Sequence, residues 1–224
     1  MSISKHAGNI RPPHIVSAEV MLRTIKELGI VPFFENAIPG YSIEEMTPLS
    51  NWFDSDEPLT HTPWDWKIFC VESGEIAYGK FLWGGKAAFA TPRWYNELRR
   101  YRQSLPKYRP DEAQEKILRY IADNGSIGIK EVRHLLGVKK GQADSQMCRL
   151  MMQCRVVTGD ITRVYRGEDL HYNGWQVSSF CDPVDLLELE DADYPPREAY
   201  ERIRDHVRAI APGATDAQIA KMLG

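Results

Sequence analysis

Apolar residues recur at helical spacing in several segments of the chain, and the residues beside each segment predict where the helices begin and end. Met21, Ile25 and Leu28 share one face of a predicted helix that Ser17 caps and Gly29 ends. The same signals predict further helices over 63–73, 92–103, 111–124, 130–136, 140–153, 197–209 and 216–223. The chain is therefore expected to be rich in short amphipathic helices.

Two pairs of strand-like runs interrupt this helical pattern. The runs 75–83 and 86–90 are joined by two glycines, a pair suited to a tight hairpin turn. The runs 156–166 and 174–180 flank a polar loop and form a second predicted hairpin. A helix, a short helix and a longer helix precede this second hairpin, and that order predicts a winged helix, a variant of the helix-turn-helix.

The predicted fold class is α+β, with three parts along the chain. An N-terminal region of helix, β-hairpin and helix covers 15–104, and segment 105–110, with its two prolines, is the predicted boundary. The winged helix covers 111–182. Helices within 195–224 are expected to pack on the rest of the molecule.

The composition is that of an ordinary globular chain, with 224 residues, 43% hydrophobic and 26% charged. This length allows one large domain or two small ones. No run of 18 or more apolar residues occurs, so no membrane-spanning helix is expected. The N-terminal residues lack the apolar core of a secretory signal. We therefore expect a cytoplasmic protein, and the sequence leaves its oligomeric state open.

Residues that commonly bind metals do not cluster along the chain. The four cysteines form no Cys-x-x-Cys pair, and the six histidines are scattered without a His-Glu-x-x-His motif. Asp54, Asp56 and Glu57 could ligate Mg²⁺, but acidic groups in a polar stretch are more often solvated loops. We expect neither a metal nor another cofactor.

Charge is segregated along the chain although the net charge is only −3. Segment 80–109 has eight basic residues and one acidic residue, and 130–166 has eight basic and three acidic. Segments 35–75 and 182–205 are acidic, each with nine carboxylates. We predict that the two basic segments converge on one face that attracts a polyanion. The alternative is that these charges face solvent in all directions.

The predicted helix 92–103 interleaves arginines with aromatic residues. Such a pattern suits phosphate contacts combined with stacking on bases. It equally suits a helix that packs Trp94, Leu98 and Tyr101 inward and keeps its arginines in water, and this is the interpretation that we favour. In either case Arg99 and Arg102 are predicted to contact nucleic acid.

If the winged helix binds DNA, its third helix is the predicted reader of the major groove. Lys139 and Lys140 at its start suit phosphates, while Gln142, Gln146 and Arg149 can pair with base edges.

The strands after this helix add Arg163 and Arg166, which are predicted to reach the DNA backbone or minor groove. Winged helices also serve as protein-interaction modules or as scaffolding, so a protein partner is an alternative to DNA.

Several segments carry a resemblance to a known family. They are the hairpin segments 75–81 (EIAYGKF) and 86–91 (KAAFAT), the pairs Trp94-Tyr95 and Tyr101-Arg102, and 39–42 (PGYS), 63–67 (PWDWK) and 172–175 (YNGW). Over roughly 29–223 the chain resembles a group of bacterial proteins termed AlkZ-related. The name of that group points to the AlkZ/YcaQ winged-helix DNA glycosylases, which remove alkylated bases.

The resemblance implies a place to look for a catalytic motif. Those glycosylases carry Gln-x-Gln or Gln-x-Asp, whose polar side chains help to position the attacking water. Gln142-Ala143-Asp144 fits this string, and Gln153 stands where relatives end a Leu-Gln-Met-Gln segment. Met151 replaces the first glutamine there, and a thioether cannot orient water. The tentative catalytic residues are thus Gln153 and Asp144.

The sequence as a whole favours a winged-helix DNA-binding protein with a link to DNA repair. The enzymatic alternative is a DNA glycosylase acting on alkylated bases, in which Trp64, Trp66 and Trp83 wall a pocket for a flipped base. The third hypothesis is a non-catalytic protein-interaction module that docks a partner through its aromatic hairpin.

Overall fold

The structure is a computed structural model that describes residues 10–53 and 62–224, with only the backbone of Asn173. The acidic group Asp54, Asp56 and Glu57 lies outside the described residues. Within them the fold is α+β, as predicted: helices surround two three-stranded antiparallel sheets. Among these residues, no helix has both the length and the apolar character needed to span a bilayer.

The N-terminal part builds the first sheet. Its elements are α1 (Ala18–Leu28), β1 (Ile30–Pro32), α2 (Ser50–Phe53), α3 (Pro63–Glu72), β2 (Ala77–Leu82), β3 (Lys86–Ala90) and α4 (Pro92–Gln103). β3 lies between β1 and β2, and the predicted Gly84-Gly85 hairpin turn is confirmed. Both glycines have a left-handed φ, +66° and +67°, which other residues rarely adopt.

The next part has the element order of a winged helix. It consists of α5 (Glu112–Asn124), β4 (Ser126–Gly128), α6 (Ile129–Leu136), α7 (Lys140–Met152), β5 (Val157–Arg166) and β6 (His171–Cys181). β6 pairs with both β4 and β5. Asp111 caps α5 by accepting the backbone N–H of Gln114, whose side chain in turn accepts the N–H of Asp111.

The last helices pack against the first half of the chain. They are α8 (Pro183–Leu187), α9 (Pro196–Ile210) and α10 (Asp216–Leu223). α9 lies along α4, where the Trp94 ring stacks on His206 at 3.9 Å and Tyr101 contacts Tyr200 at 4.8 Å between ring centroids.

These contacts correct the prediction for the inward face of α4. Leu98 is fully buried, as expected, but the side chains beside it in the core are Tyr95 and Arg102. Trp94 and Tyr101 are only partly buried and face α9. The prediction that the arginines of this helix stay in water is therefore wrong for Arg102, which has no exposed surface.

Two large apolar clusters form most of the interior, and a third, small cluster of Ile68, Val71 and Ile161 joins α3 to β5. The larger joins α1, the first sheet, α4, α9 and α10, and also takes in Cys154 and Val157. The smaller fills the winged helix between α5, α6 and α7. Met151 belongs to the smaller cluster, and its sulfur accepts the backbone N–H of Lys80 at 3.3 Å, so the end of α7 lies directly against β2.

Candidate nucleic-acid interface

The helices α6 and α7 expose a group of cations, which we call the α6–α7 cations: Lys130, Arg133, Lys139, Lys140 and Arg149. None of the five forms an ion pair with any residue that the structure describes. The first turn of α7 contains no carboxylate, so the positive end of the helix dipole adds to their field. This surface can attract phosphate groups.

The predicted base readers Gln142 and Gln146 already accept hydrogen bonds within the protein through their side-chain oxygens. Gln142 Oε1 accepts the backbone N–H of Lys139 at 3.2 Å, and Gln146 Oε1 accepts Gln114 Nε2 at 2.9 Å. A base contact from either side chain would therefore use the amide N–H groups. Both glutamines and Arg149 line a groove of about 550 Å³ between α5 and α7.

Three of the four arginines of α4, Arg99, Arg100 and Arg102, are engaged by the protein itself. Arg99 pairs with Asp191 at 3.5 Å and with the Asn96 side chain at 2.9 Å, and Arg100 donates to the Tyr194 carbonyl. The guanidinium of Arg102 donates to backbone carbonyls in the core. Arg102 is thus corrected from a nucleic-acid contact to a core residue, and it cannot contribute to a basic face shared by the two basic segments.

The hairpin of β5 and β6 is fastened to α3 through a buried carboxylate. Arg163 donates to both oxygens of Asp65, at 3.0 and 2.6 Å, and Tyr172 donates its hydroxyl to the same side chain at 3.3 Å. Hydrogen bonding to Asp65 raises the pKa of Arg163. The guanidinium of Arg163 is therefore bound within the protein, whereas Arg166 is exposed beside the ring of Trp175.

The two tentative catalytic residues are not brought together. Gln153 is buried at the end of α7 and donates to Gln114 Oε1 at 2.8 Å, and its own Oε1 has no partner among the described residues. Gln153 lines a cavity of about 290 Å³ with Arg109 and Arg149, but Asp144 does not line it. Asp144 is nine residues earlier, roughly 13 Å along the helix axis.

The three tryptophans proposed to wall a base pocket lie in different surroundings. Trp66 is buried, and Trp64 packs against Phe33 and Trp52 at centroid distances of 5.6 and 5.8 Å. Trp83 is exposed at the turn between β2 and β3. In this arrangement they do not share one pocket wall.

Sequence reasoning missed several residues of this surface. Lys130 and Arg133 lie within the basic segment 130–166, and the only signal for them was their place on the polar face of a short helix. Asp65 lies in segment 63–67, which carries the family resemblance, but no local pattern linked it to Arg163, which is 98 residues away along the chain.

No group of three or more His, Cys, Asp or Glu side chains is arranged to hold a metal ion in the described ranges 10–53 and 62–224.

Comparison with known proteins gives one match. The model of the family described as "AlkZ related" matches residues 15–224. No curated protein matches the chain, and no solved structure matches it.

Proposed function

The chain belongs to the AlkZ-related family, and on that premise we propose that it binds duplex DNA through α6, α7 and Arg166. The observation that carries this proposal is that the α6–α7 cations are exposed and have no carboxylate partner within the described part of the chain. Exposed cations without a carboxylate partner are available to neutralise DNA phosphates and so release the counterions condensed on the DNA. Arg99, Arg100 and Arg102 of α4, by contrast, already have hydrogen-bond partners.

The exposed side of the β5–β6 hairpin supports the same proposal. Leu170 and Trp175 are 69% and 57% exposed, and Arg166 lies 5.7 Å from the Trp175 ring. Proteins that enter the minor groove combine cations with apolar wedges in this way. The same exposed residues support the rival hypothesis of a protein-interaction module, which the binding experiment below separates from the DNA proposal.

Base excision is the second candidate function, favoured by the side-chain oxygen of Gln153, which lies at its cavity and has no partner among the described residues. We place it second for two reasons. Met151 faces β2, where its sulfur accepts the Lys80 N–H. Asp144, the stronger general base, lies about 13 Å from Gln153 along α7.

A fluorescence-anisotropy titration with a short labelled duplex tests the DNA proposal. We expect affinity to fall about 10³-fold or more between roughly 50 and 200 mM salt, as for proteins with several phosphate contacts. The double variant Lys139→Ala/Lys140→Ala should weaken binding to all sequences alike and reduce the salt slope by about 2.

The matched control is Lys26→Ala, which removes an exposed lysine of α1 that is paired with Glu75. It should bind the duplex like the unmodified protein. Absence of binding by the unmodified protein at low salt would refute the proposal, and so would equal effects of the two sets of substitutions.

A further inference from the structure

Trp83 stands at the turn between β2 and β3 with 37% of its surface exposed. Two ammonium groups lie near its indole ring: Lys86 Nζ is 5.4 Å and Lys221 Nζ 4.8 Å from the ring centroid. Lys86 begins β3, whereas Lys221 comes from α10, 138 residues after Trp83. The tertiary fold therefore assembles this group, which we call the Trp83 site.

The Trp83 site is held beside the proposed DNA-reading helix. A Cβ atom on Gly85 would come within 2.5 Å of Cys148 Sγ on α7, so the turn touches the helix directly. The bond from the Lys80 N–H to Met151 Sδ fixes the same strand against the end of α7. The Trp83 site therefore adjoins the C-terminal half of α7.

A cavity of about 420 Å³ opens at the site, within the usual range of about 300–1,000 Å³ for small-ligand pockets. Lys86 and Lys221 line this cavity with Trp83, and neither lysine has an ion pair among the described residues. Lys86 Nζ donates to the Glu35 carbonyl at 3.2 Å. Glu35 and Glu44 also line the cavity, and Glu44 already accepts the Glu35 N–H at 2.8 Å.

The cavity is thus lined by side chains of both charges. An anionic group is attracted to the two ammonium groups and repelled by the carboxylates. A flat aromatic group can stack on the indole, because aromatic rings favour offset stacking. A nucleotide offers both an aromatic base and an anionic phosphate.

We propose that Trp83, Lys86 and Lys221 bind one unpaired nucleotide of a DNA strand that α7 holds, with the base on the indole and the phosphate at the lysines. This inference rests on the proposed function. The nucleotide must be unpaired, because the faces of a paired base are covered by its neighbours in the stack. Stacking on an aromatic side chain is tolerant of sequence, so any of the four bases fits.

The test compares two DNAs at low salt, a blunt duplex and the same duplex with one strand extended by a few unpaired nucleotides. We expect the unmodified protein to prefer the extended DNA about tenfold. Trp83→Leu should abolish this preference and leave the affinity for the blunt duplex unchanged. Trp83→Phe, which keeps an aromatic face, should retain most of the preference for the extended DNA. Lys86→Ala/Lys221→Ala should lower the salt dependence of that preference.

The matched control is Trp175→Leu, which removes another exposed indole with a cation over its ring. It should affect both DNAs equally. The inference is overturned if Trp83→Leu keeps the preference, or if a free deoxynucleoside monophosphate binds at Trp83 as tightly as the extended strand. Blunt-duplex binding without a preference overturns the inference alone, whereas no binding to either DNA overturns the proposed function as well.

Discussion

The guanidinium of Arg102 donates a hydrogen bond to the carbonyl oxygen of Met152 at 2.8 Å, at the C-terminal end of α7. The same group also donates to the carbonyls of Phe81 and Leu223, the last residue of α10. The carbonyl ends of two helices thus face one buried cation, and the negative ends of their dipoles stabilise it. Arg102 thereby fixes where α7 ends relative to α4 and α10.

This arrangement predicts a large loss of stability when the guanidinium is removed. Arg102→Met keeps an unbranched apolar stem but leaves buried carbonyl oxygens without donors, which costs about 1–3 kcal/mol for each group. Relief of the buried charge offsets part of that cost. We expect the free energy of unfolding, measured by urea titration, to fall by about 2–4 kcal/mol.

The control for this substitution is Arg93→Met on the same helix, because Arg93 is exposed and lies over the Trp94 ring. Its effect should stay below about 1 kcal/mol. Equal midpoints of unfolding for the two variants would show that the contacts of Arg102 add nothing to stability.

The link between Asp65 and Arg163 predicts a local effect on the hairpin. Asp65→Asn removes the charge from a side chain that accepts two bonds from Arg163 and one from Tyr172. We expect a loss of about 1–3 kcal/mol in unfolding free energy, since the carboxylate is buried but Arg163 is partly exposed. Amide exchange in β5 and β6 should rise more than in α1.

Asp160→Asn is the matched control on β5, because Asp160 is exposed and accepts only the Thr162 hydroxyl. Asp160→Asn should leave the amide-exchange rates of β5 and β6 unchanged. If Asp65→Asn also leaves it unchanged, the hairpin is held by its other contacts with α3 and not by this carboxylate.

Lys67 on α3 predicts a pH-dependent stability. Burial lowers the pKa of Lys67 to about 8, while the charge of Asp65 acts in the opposite direction. In the unfolded chain the pKa is about 10.4. Below pH 8 both states are protonated, and the folded state bears the full cost of burying the charge. That cost is relieved as pH rises from about 8 to 10.4, because the folded state releases its proton first.

Lys67→Met should therefore stabilise the protein at neutral pH, by about 1–3 kcal/mol, and the gain should shrink toward pH 10. Denaturant titrations of the unmodified protein and of Lys67→Met at several pH values measure the difference in unfolding free energy. The contributions of the other titrating groups cancel in this difference. Lys26→Met, at an exposed lysine, is the matched control and should give no gain in stability at neutral pH. A gain that stays constant with pH would exclude the lowered pKa as its cause.

Local signals along the sequence were enough to predict most elements of the fold. Ser17 accepts the Val20 N–H at the start of α1, and Gly29 ends that helix with a φ of +74°. Strands β1 and β4 were missed, since three residues are too few to show an alternating pattern. They became strands through their pairing with β3 and β6, which are distant in the sequence.

The candidate site was predictable only where it depends on one helix. Lys139 and Lys140 are exposed at the start of α7, where the helical pattern places them. The burial of Arg102 was not predictable, because arginine in an amphipathic helix normally faces water and its carbonyl partners lie 21, 50 and 121 residues away. The neighbourhood of Trp83 and Lys221 likewise depends on where α10 packs.

The last prediction concerns chemistry, and it is negative. We expect no robust release of 7-methylguanine from duplex DNA by this protein. Hydrolysis of the glycosidic bond needs a water held and polarised by a base within hydrogen-bond reach. Met151 carries only a weakly accepting thioether, and it faces the Lys80 N–H. Gln153 Oε1 could hold a water in its cavity, but a neutral amide is a poor base.

An assay of methylated-base release by the unmodified protein decides this, with Gln153→Ala and Asp144→Asn as paired variants. Asp144 lies on α7 outside the cavity of Gln153, so Asp144→Asn should change neither release nor stability. Gln153→Ala removes the bond to Gln114 and should lower stability by about 1 kcal/mol without any effect on release. Release that disappears in Gln153→Ala but persists in Asp144→Asn would instead make the buried amide of Gln153 the centre of a base-excision site.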